Sequence, residues 1–548
     1  MRRLALIGLG LALALPGTAA AESFVVGVRQ GVSFDRVSEQ VARASGARVS
    51  RDRDLRAVYV HASRAQLARI RGISYVERLS SRQLAFVPND PLMVRQWYLS
   101  QIHAFDFWQA LPPLPPVKVA VIDSGIDLKH PEFQNRVFAW KSFVKSNSVA
   151  DTQGHGTFVA GEIAAATNNG IGISGIGFSV QLMIGKVVRS DGTIPLKAEA
   201  SAIRWAVNQG ARVINLSLAG LRDPLSKRRD TYSPLEAAAI RYAVSKHVLV
   251  VAAVGNSDQA PRSPWNFAGY PAALNHVVGV SALEPSGAVA EFSNRDAFYN
   301  DLAAPGAEIY STLPLALTAP TRGTCVNQGY ADCGPFEFRH AEGTSFAAPM
   351  ATAAAALVLG VRPGLASDQA SWIVEHSADD VNSGTGCRAC RAGHDRLSGW
   401  GRVDVTAAAA FATAGTYLRA DTREPNDDAG RLSSTIWTRA GGTINATLDF
   451  WDDPIDVYRI RLRKDQFVSL TLSGPPSGNS NLALWRPGTQ TVVDLSPAAQ
   501  KMRVAQSFHL GSTERIRGYR ARTGGWYYVE VKMSSSDSGP YTLTYARS

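Results

Sequence analysis

Between about residues 88 and 414, short apolar runs rich in β-branched residues alternate with stretches patterned for helices. The apolar runs include KVAVID, VQLMIGKVV, RVINLSL, HVLVVAAVG and HVVGVSAL, and the helical stretches include EASAIRWAVNQG and LEAAAIRYAVSK. Strands that alternate with helices pair in parallel, so this pattern predicts an α/β fold whose parallel sheet carries helices on both faces. In such sheets the functional side chains collect at the carboxyl ends of the strands.

The segments on either side of this region are patterned differently. Residues 22–86 show a strand-helix-strand order twice, which predicts a small α+β domain. Residues 424–548 alternate apolar and polar positions between Gly, Pro and Ser, which is typical of a β-sandwich. We therefore assign residues 87–414 to the α/β domain, with 314–341 as a loop insertion, and residues 415–423 to a linker.

The N-terminus predicts export. Residues 1–21 contain two arginines, an apolar run too short to span a bilayer, and three small residues at the end, which is the pattern of a secretory signal peptide. The adjacent arginines leave a twin-arginine signal open. No later run has the length of a membrane span, so we expect an exported, soluble monomer, either extracellular or periplasmic.

The net charge of +11 is concentrated near the N-terminus. Residues 22–82 contain twelve arginines against six acids, and residues 1–21 contain two arginines and no acid. The remaining residues carry a small excess without a basic stripe, so the charge does not indicate nucleic-acid binding.

The four cysteines form two local pairs. In an oxidising compartment the pattern favours the disulfides Cys325–Cys333 and Cys387–Cys390. Cross-pairing and a four-thiolate zinc site remain open alternatives.

Three short segments carry side chains that could take part in catalysis. They are VAVIDSGID with Asp123, GHGTFVAGEIAAAT with His155, and EGTSFAAP with Ser345. Each has a structural alternative, since Asp123 could cap a turn, His155 could be a core histidine, and Ser345 could cap the alanine-rich helix that follows, with Pro349 in its first turn. Together they supply the carboxylate, imidazole and hydroxyl that acyl transfer requires.

The order of these motifs resembles that of the subtilisin-like serine proteases, over roughly residues 22–414. Residues 22–86 are similar to the inhibitor-like propeptide of that family. Residues 424–548 resemble the bacterial prepeptidase C-terminal domain through EPNDDAG, DVYRIRL and GPYTLTY. The resemblance implies a secreted serine endopeptidase for protein and peptide substrates, made as a self-processing zymogen with its propeptide as intramolecular inhibitor. If the enzyme prefers large apolar residues before the cut, SSRQLAFVPND offers Leu84 or Phe86 as the position of self-cleavage.

The resemblance also implies a role for each matching residue. Asp123 orients the imidazole, His155 acts as general acid and base, and Ser345 is the nucleophile. Asn256, in VVAAVGNSD, and the backbone N–H of Ser345 stabilise the oxyanion.

Substrate binding is implied in the same way. One edge that pairs with an extended peptide contains Ser217, Leu218, Ala219 and Gly220, and the opposite edge contains Gly192. Gly269 is the glycine at the floor of the specificity pocket. A glycine floor implies preference for a large apolar residue before the cut. The chain departs from the family at Ala219, where a glycine is common, at Phe158, where a histidine is common, and at Phe346, where several relatives have an oxidisable methionine.

A structural calcium ion is implied by ATNNGIGISG, residues 166–175, since oxygen-only ligation suits this ion. The implied ligands are Asp90, Glu132, Thr167, Asn169, Ile171 and Ile173. Glu132 stands where aspartate is frequent, and a plain Asn-Gly loop is the alternative. Relatives of the C-terminal domain can also bind calcium near Glu424, Asn426, Asp427 and Asp456, although acids of ordinary turns are the favoured interpretation there.

Two other functions are compatible with the sequence. A catalytically idle binding protein would require the three motifs and Asn256 to be relics. A processing protease with one dedicated target differs from a broad endopeptidase only in its substrate.

Overall fold

The computed structural model describes residues 22–67, 69–78, 86–318, 328–436, 440–494 and 496–548. The chain divides into two compact units, Met1–Leu84 and Ala85–Ser548. Each unit has its own hydrophobic core.

The first unit is a small antiparallel sheet with two helices. Its elements are β1 (Glu22–Val28), α1 (Phe34–Ser45), β2 (Ser50–Asp52), β3 (Ala57–Ala62), α2 (Arg64–Leu67) and β4 (Ile73–Arg78), and the sheet order is β2-β3-β1-β4. Phe34, Val37 and Val41 lie on one face of α1 and are buried against the sheet. The predicted α+β pattern is confirmed, with β2 as an additional short strand.

The second unit is built on a seven-stranded sheet in which every pairing is parallel. The strands are β5 (Val117–Asp123), β6 (Val137–Ser142), β7 (Val180–Lys186), β8 (Val213–Leu216), β9 (Leu249–Ala253), β10 (Val277–Leu283) and β11 (Leu302–Pro305). Their order is β11-β10-β9-β8-β5-β7-β6. The helices are α3 (Tyr98–Gln101), α4 (His155–Ala164), α5 (Leu196–Asn208), α6 (Pro234–Val244), α7 (Phe336–Arg339), α8 (Thr344–Val361), α9 (Ser367–His376) and α10 (Val405–Ala414).

Helices cover both faces of this sheet, as the sequence predicted. Val119 and Val121 of β5 pack into the core that contains α4 and α8, whereas Ala120 and Ile122 pack into the core that contains α5 and α6. Among the described residues, only α8 is as long and apolar as a membrane-spanning helix, and it is buried inside this fold.

Residues 424–548 form two facing sheets. The strands are β12 (Ser434–Ile436), β13 (Gly441–Asp449), β14 (Ile455–Leu462), β15 (Phe467–Ser473), β16 (Ser480–Trp485), β17 (Arg503–Ser507), β18 (Thr513–Arg520), β19 (Gly525–Met533) and β20 (Ser538–Arg547), with the one-turn helix α11 (Pro497–Gln500). The sheet orders are β12-β14-β19-β16-β17 and β13-β20-β15-β18, and only β12 pairs in parallel. Inward residues such as Tyr458, Leu470, Val529 and Leu543 fill the space between them, so the predicted β-sandwich is confirmed.

The cysteines are placed in part. Cys387 and Cys390 form the predicted disulfide, with an S–S distance of 2.04 Å. Cys333 is buried, and Cys325, its predicted partner, lies outside the described residues. Within the predicted insertion 314–341, the structure describes all residues except 319–327 and adds the short helix α7.

Candidate active site

The segments that follow strands β5, β7, β8 and β9 surround one cleft. Because these strands are parallel neighbours, their carboxyl ends meet at the same edge of the sheet. The cleft encloses about 290 Å³ and is lined by Asp123, Ser124, Gln153, His155, Val188, Gly192, Ile194, Ser217, Leu218, Ala219, Gly255, Asn256, Thr344 and Ser345. The three motif residues, Asn256 and most of the predicted substrate edge therefore lie together.

Asp123 and His155 are directly hydrogen-bonded. His155 Nδ1 lies 2.8 Å from Oδ1 and 3.0 Å from Oδ2 of the buried Asp123. The close approach of α4 to β5 depends on Gly156, because a Cβ there would stand 2.4 Å from the Gly125 carbonyl oxygen. The bond to Nδ1 leaves Nε2 as the nitrogen of His155 that is available for proton transfer.

The pKa of His155 is raised by its acidic neighbours. Burial by itself lowers the pKa of this imidazole, but the charge of Asp123, its hydrogen bond and the charge of Asp151 together outweigh that effect. The arrangement therefore stabilises the imidazolium that forms when His155 accepts a proton.

Asp151 is a second carboxylate at this site, and it was not predicted from the sequence. Its Oδ1 accepts hydrogen bonds from Ser124 Oγ, Gln153 N and Gly154 N, and its Oδ2 accepts from both N and Oγ1 of Thr157. Asp151 thus holds the turn that precedes His155 and the first turn of α4. An aspartate shortly before a helix start is a capping signal that the sequence did contain.

Ser345 is the second residue of α8, so it stands in the first turn of an 18-residue helix. Its hydroxyl donates to the Ser217 carbonyl at 3.1 Å, and its own carbonyl accepts from Ser217 Oγ at 2.6 Å. The helix starts at Thr344 with Gly343 as N-cap, and this placement corrects two expectations. Ser345 does not cap the helix, and Pro349 lies inside it rather than in its first turn.

The orientation of Asn256 is set by Thr344. Thr344 donates to Asn256 Oδ1 from its backbone N at 3.1 Å and from its hydroxyl at 3.0 Å. Both donors require an oxygen at this position, so the side-chain nitrogen Nδ2 is the group of Asn256 that can donate into the cleft. The role of Thr344 was not predicted from the sequence.

Four of the six predicted substrate-binding residues line the cleft. Ser217, Leu218 and Ala219 line the cleft on one side and Gly192 on the other. Gly220 pairs with Tyr270 through two backbone hydrogen bonds of 2.7 and 2.9 Å. A Cβ on Gly269 would lie 2.6 Å from the Gly220 carbonyl oxygen, so Gly269 allows this close backbone approach. Neither glycine is among the described lining residues of the cleft, and the role of Gly269 as the floor of the specificity pocket stays a prediction.

The imidazole contacts one phenylalanine, which packs in turn on a second. The ring of Phe346 lies 5.5 Å from that of His155 and 4.6 Å from that of Phe158, measured between centroids. Both phenylalanines are buried, so two of the three positions where the chain departs from the family pattern form one apolar contact beside His155.

The predicted calcium loop is present and its carboxylates are partly used by hydrogen bonds. The oxygens of Asp90 accept from Asn168 N, Asn169 N, Gly170 N and Ser174 Oγ, which fills the roughly four lone-pair positions of a carboxylate. Glu132 accepts from Ile173 N, Tyr330 Oη and Asn169 Nδ2, which leaves it one position.

The fit to calcium is therefore uneven. Glu132 is fully buried, and burial raises its pKa to about 7, which a cation beside it would reverse. Glu132 and Asn169 come together at the loop through a hydrogen bond from Asn169 Nδ2, while Asn169 Oδ1 accepts from Ile171 N. Glu132 fits an oxygen-ligated ion, and Asn169 would have to turn its amide to supply an oxygen. Asp90 serves first as the anchor of the loop and would join only by giving up a hydrogen bond.

Comparison with known proteins identifies the family of the chain. The model of the subtilase family, peptidase S8, matches residues 116–401. The major intracellular serine protease of Bacillus subtilis is 35% identical over 248 residues, which is 44% of this chain and 68% of that protein. Thermitase of Thermoactinomyces vulgaris is 33% identical over 242 residues, covering 44% and 80%, and subtilisin DY of Bacillus licheniformis is 34% identical over 298 residues, covering 54% and 90%. The chain belongs to the subtilase family and is a subtilisin-like serine endopeptidase.

Proposed function

We propose that Asp123, His155 and Ser345 form the catalytic triad of this protease and that Asn256 donates to the oxyanion. The observation that carries the proposal is the shared cleft, in which His155 is bonded to Asp123 and faces the same 290 Å³ space as Ser345. His155 accepts the Ser345 proton as the hydroxyl attacks the peptide carbonyl, and Asp123 holds the imidazole in the required tautomer. The acyl-enzyme is then hydrolysed by water through the reverse proton transfers.

A serine-directed phosphonofluoridate reagent tests the assignment. We expect labelling of Ser345, and loss of labelling in both Ser345→Ala and His155→Ala. Serine residues on the protein surface provide the control, because they lack an activating imidazole. Labelling that persists in His155→Ala at the same rate would contradict the triad.

We infer that the protein is exported as a zymogen and that residues 22–86 act as its propeptide. The support is the signal-like sequence of residues 1–21 and the independent compact unit that ends at Leu84. N-terminal sequencing of the secreted product should find a start close to residue 85 or 87. A start well inside the 90s would remove Asp90, with its four hydrogen bonds to the loop, and would contradict the scheme.

We further propose that the enzyme prefers a large apolar residue before the cut. The cleft is lined by Val188, Ile194, Leu218 and Ala219, and no lysine, arginine, aspartate or glutamate other than Asp123 is among its described lining residues. Profiling of the peptides released from a complex protein digest measures the preference. Strict cleavage after Arg or Lys would contradict it.

We propose a structural calcium ion at residues 166–175, held by Glu132, the side chain of Asn169 and the carbonyls of Thr167, Ile171 and Ile173. Bound calcium would neutralise the buried Glu132 and stiffen the loop that follows α4. Chelation in Ser345→Ala protein should lower the unfolding temperature, and Glu132→Gln should abolish most of that response. An equal response to chelation in both proteins would contradict the assignment.

A further inference from the structure

A histidine and two aspartates come together on the catalytic fold, outside the active-site cleft. They are His103, which follows α3, Asp379, which follows α9, and Asp404, which immediately precedes α10. One side-chain ligand atom from each residue lies within 4.8 Å of the other two. None of the three is among the described lining residues of the cleft, so the group is separate from the serine chemistry.

Hydrogen bonds to the backbone hold the three segments together. Thr406 Oγ1 donates to the His103 carbonyl at 2.8 Å, which joins the start of α10 to the turn that carries the histidine. Asp379 and Arg402 exchange two backbone hydrogen bonds of 2.8 Å, which joins the segment after α9 to the residues just before α10. The fold therefore places the three side chains before any ligand binds, and this lowers the ordering cost of binding.

A fourth residue determines which nitrogen of His103 is available. Its Nδ1 lies 2.9 Å from Oδ2 of Asp106, and since a carboxylate only accepts, Nδ1 carries the hydrogen of this bond. In the neutral imidazole the lone pair is then on Nε2, which lies 3.6 Å from Oδ2 of Asp379. Metal-binding histidines are arranged in this way, with one ring nitrogen held by a carboxylate and the other bound to the metal.

The distance between His103 Nε2 and Asp379 Oδ2 matches two ligands of one ion. At 3.6 Å the two atoms are too far apart for a hydrogen bond, and two acceptors that face each other need a proton or a cation between them. Two ligands at about 2.1 Å from a tetrahedral zinc ion stand about 3.4 Å apart. The observed distance is close to that value.

The charges around His103 also favour a cation. Three carboxylates, those of Asp106, Asp379 and Asp404, lie beside its ring. Among the described residues, Arg402 is the only arginine or lysine that forms an ion pair with any of them, with its Nη2 2.9 Å from Asp379 Oδ2. A divalent ion would balance the remaining negative charge, because a neutral imidazole contributes none.

Both aspartates have lone pairs beyond those used by these bonds. Asp379 Oδ2 accepts from Arg402 Nη2, and Asp404 Oδ1 accepts from Ala407 N at 2.7 Å. Since a carboxylate offers about four lone-pair positions, each can bind an ion as well. The side chains of His103 and Asp379 are each 39% exposed, so an ion from solvent can reach the group.

We propose that His103, Asp379 and Asp404 bind a zinc ion, with Asp106 orienting the imidazole. An imidazole nitrogen with two carboxylates selects zinc over calcium and magnesium, which take oxygen ligands. Three protein ligands leave the fourth position of the ion to water. The ion joins the turn after α3 to the segment after α9 and to the start of α10. It shares no residue with the proposed calcium loop.

Titration of the full chain carrying Ser345→Ala, without an affinity tag, tests the proposal. Ca²⁺ is kept in excess, so that the loop at residues 166–175 is filled and does not contribute. Co²⁺ is the spectroscopic probe, because it occupies zinc sites and absorbs visible light there. One equivalent of Co²⁺ should produce this absorption, and one equivalent of Zn²⁺ should remove it.

Three variants locate the ion. His103→Gln should abolish the cobalt absorption and weaken zinc binding more than about 10-fold by calorimetry. Asp404→Asn should weaken zinc binding by a similar factor, while asparagine still caps α10. His509→Gln is the matched control, because His509 also lies beside a carboxylate, 3.0 Å from Glu514, but belongs to no described group of three ligands. It should bind zinc as the parent does.

Two results would overturn the proposal. One is the absence of one-to-one zinc binding in the Ser345→Ala parent, which would mean that a protonated His103 pairs with the acids directly. The other is an unchanged zinc affinity in either ligand variant, which would place the bound ion elsewhere. If His103→Gln does not fold, as judged by circular dichroism, Asp404→Asn decides alone. Failure of Ser345 labelling would bear on the triad and would leave this test unaffected.

Discussion

Asp151 should control both the stability of the α4 start and the acidity of His155. In Asp151→Ala, three backbone N–H groups lose their acceptor, those of Gln153, Gly154 and Thr157. Asp151 is 6% exposed, so these donors are screened little by solvent. At about 1 kcal/mol for each buried donor left unpaired, the free energy of unfolding should fall by about 3 kcal/mol.

Asp151→Asn separates the charge from the shape. The amide keeps one acceptor oxygen but removes the negative charge that helps to raise the pKa of His155. Loss of that charge lowers the pKa of the imidazole, so the unprotonated base is available at lower pH. The acidic limb of the kcat/KM profile should therefore move to lower pH, while Asp123 still orients the ring.

The measurements are thermal unfolding in the Ser345→Ala background and the pH dependence of kcat/KM with a chromogenic peptide. With an unfolding entropy of about 2.1 cal/mol/K per residue, a loss of about 3 kcal/mol corresponds to a fall in Tm of roughly 4 °C for the α/β domain of residues 87–414. Asp127→Asn provides the control, since the carboxylate of Asp127 accepts from Lys129 N and Leu315 N rather than from the α4 start. An unshifted acidic limb in Asp151→Asn, with an unchanged Tm in Asp151→Ala, would refute the reasoning.

Three further outcomes follow from the described contacts. Asn256→Ala should lower kcat by about 10²–10³, the range already known for the equivalent donor of subtilisin, with a smaller effect on KM. An unchanged kcat with a raised KM would contradict the oxyanion role. The activity of the unmodified chain should survive peroxide, whereas Phe346→Met should become sensitive, because a thioether beside Ser345 oxidises to the sulfoxide; timed activity assays in peroxide compare the two. Burial raises the pKa of Glu162 well above its usual value, and both its oxygens lack partners in the described structure. The folded state therefore holds this proton more tightly than the unfolded chain does, so the stabilisation is present below the usual glutamate pKa and is lost as the pH rises above it. In Ser345→Ala protein, Glu162→Gln should reduce the fall in unfolding free energy between about pH 5 and about pH 9. An unchanged slope of the unfolding free energy against pH would contradict the burial argument.

The sequence predicted the sheet and its helices because each strand is marked locally. KVAVID became β5 and VQLMIGKVV contains β7, since a buried parallel strand needs a continuous apolar run. Strand β6, with the sequence VFAWKS, was not predicted, because an edge strand is half exposed and mixes polar residues with apolar ones. The order of the strands across the sheet also could not be read from local patterns.

The residues of the site that stand in local motifs were also predictable from the sequence. Asp123, His155 and Ser345 stand in short motifs, so their types and spacing could be recognised. The bonds of Thr344 and Asn215 depend on contacts between segments far apart in the chain, as in the 2.8 Å bond from Thr352 Oγ1 to Asn215 Oδ1. Asp151 accepts mostly from residues two to six positions later, so its capping role was the more readable of the three. The acids that line a second cavity, between α9 and the segment after β13, are spread along the chain from Asp368 to Asp453. No local pattern indicates that they share a cavity.

Pro349 shows how a residue that weakens a helix can stabilise a reactive serine. A proline inside a helix has no N–H for the carbonyl four residues earlier, which in α8 is the carbonyl of Ser345. That carbonyl instead accepts from Ser217 Oγ at 2.6 Å, and Ser217 Oγ accepts in turn from Asn215 Nδ2 at 3.0 Å. The lost helical bond is thus replaced by a bond to the segment after β8, which also accepts the Ser345 hydroxyl at 3.1 Å. Ser345 is therefore held by two hydrogen bonds to Ser217 of the substrate edge, and the interruption of the helix frees the carbonyl that makes one of them.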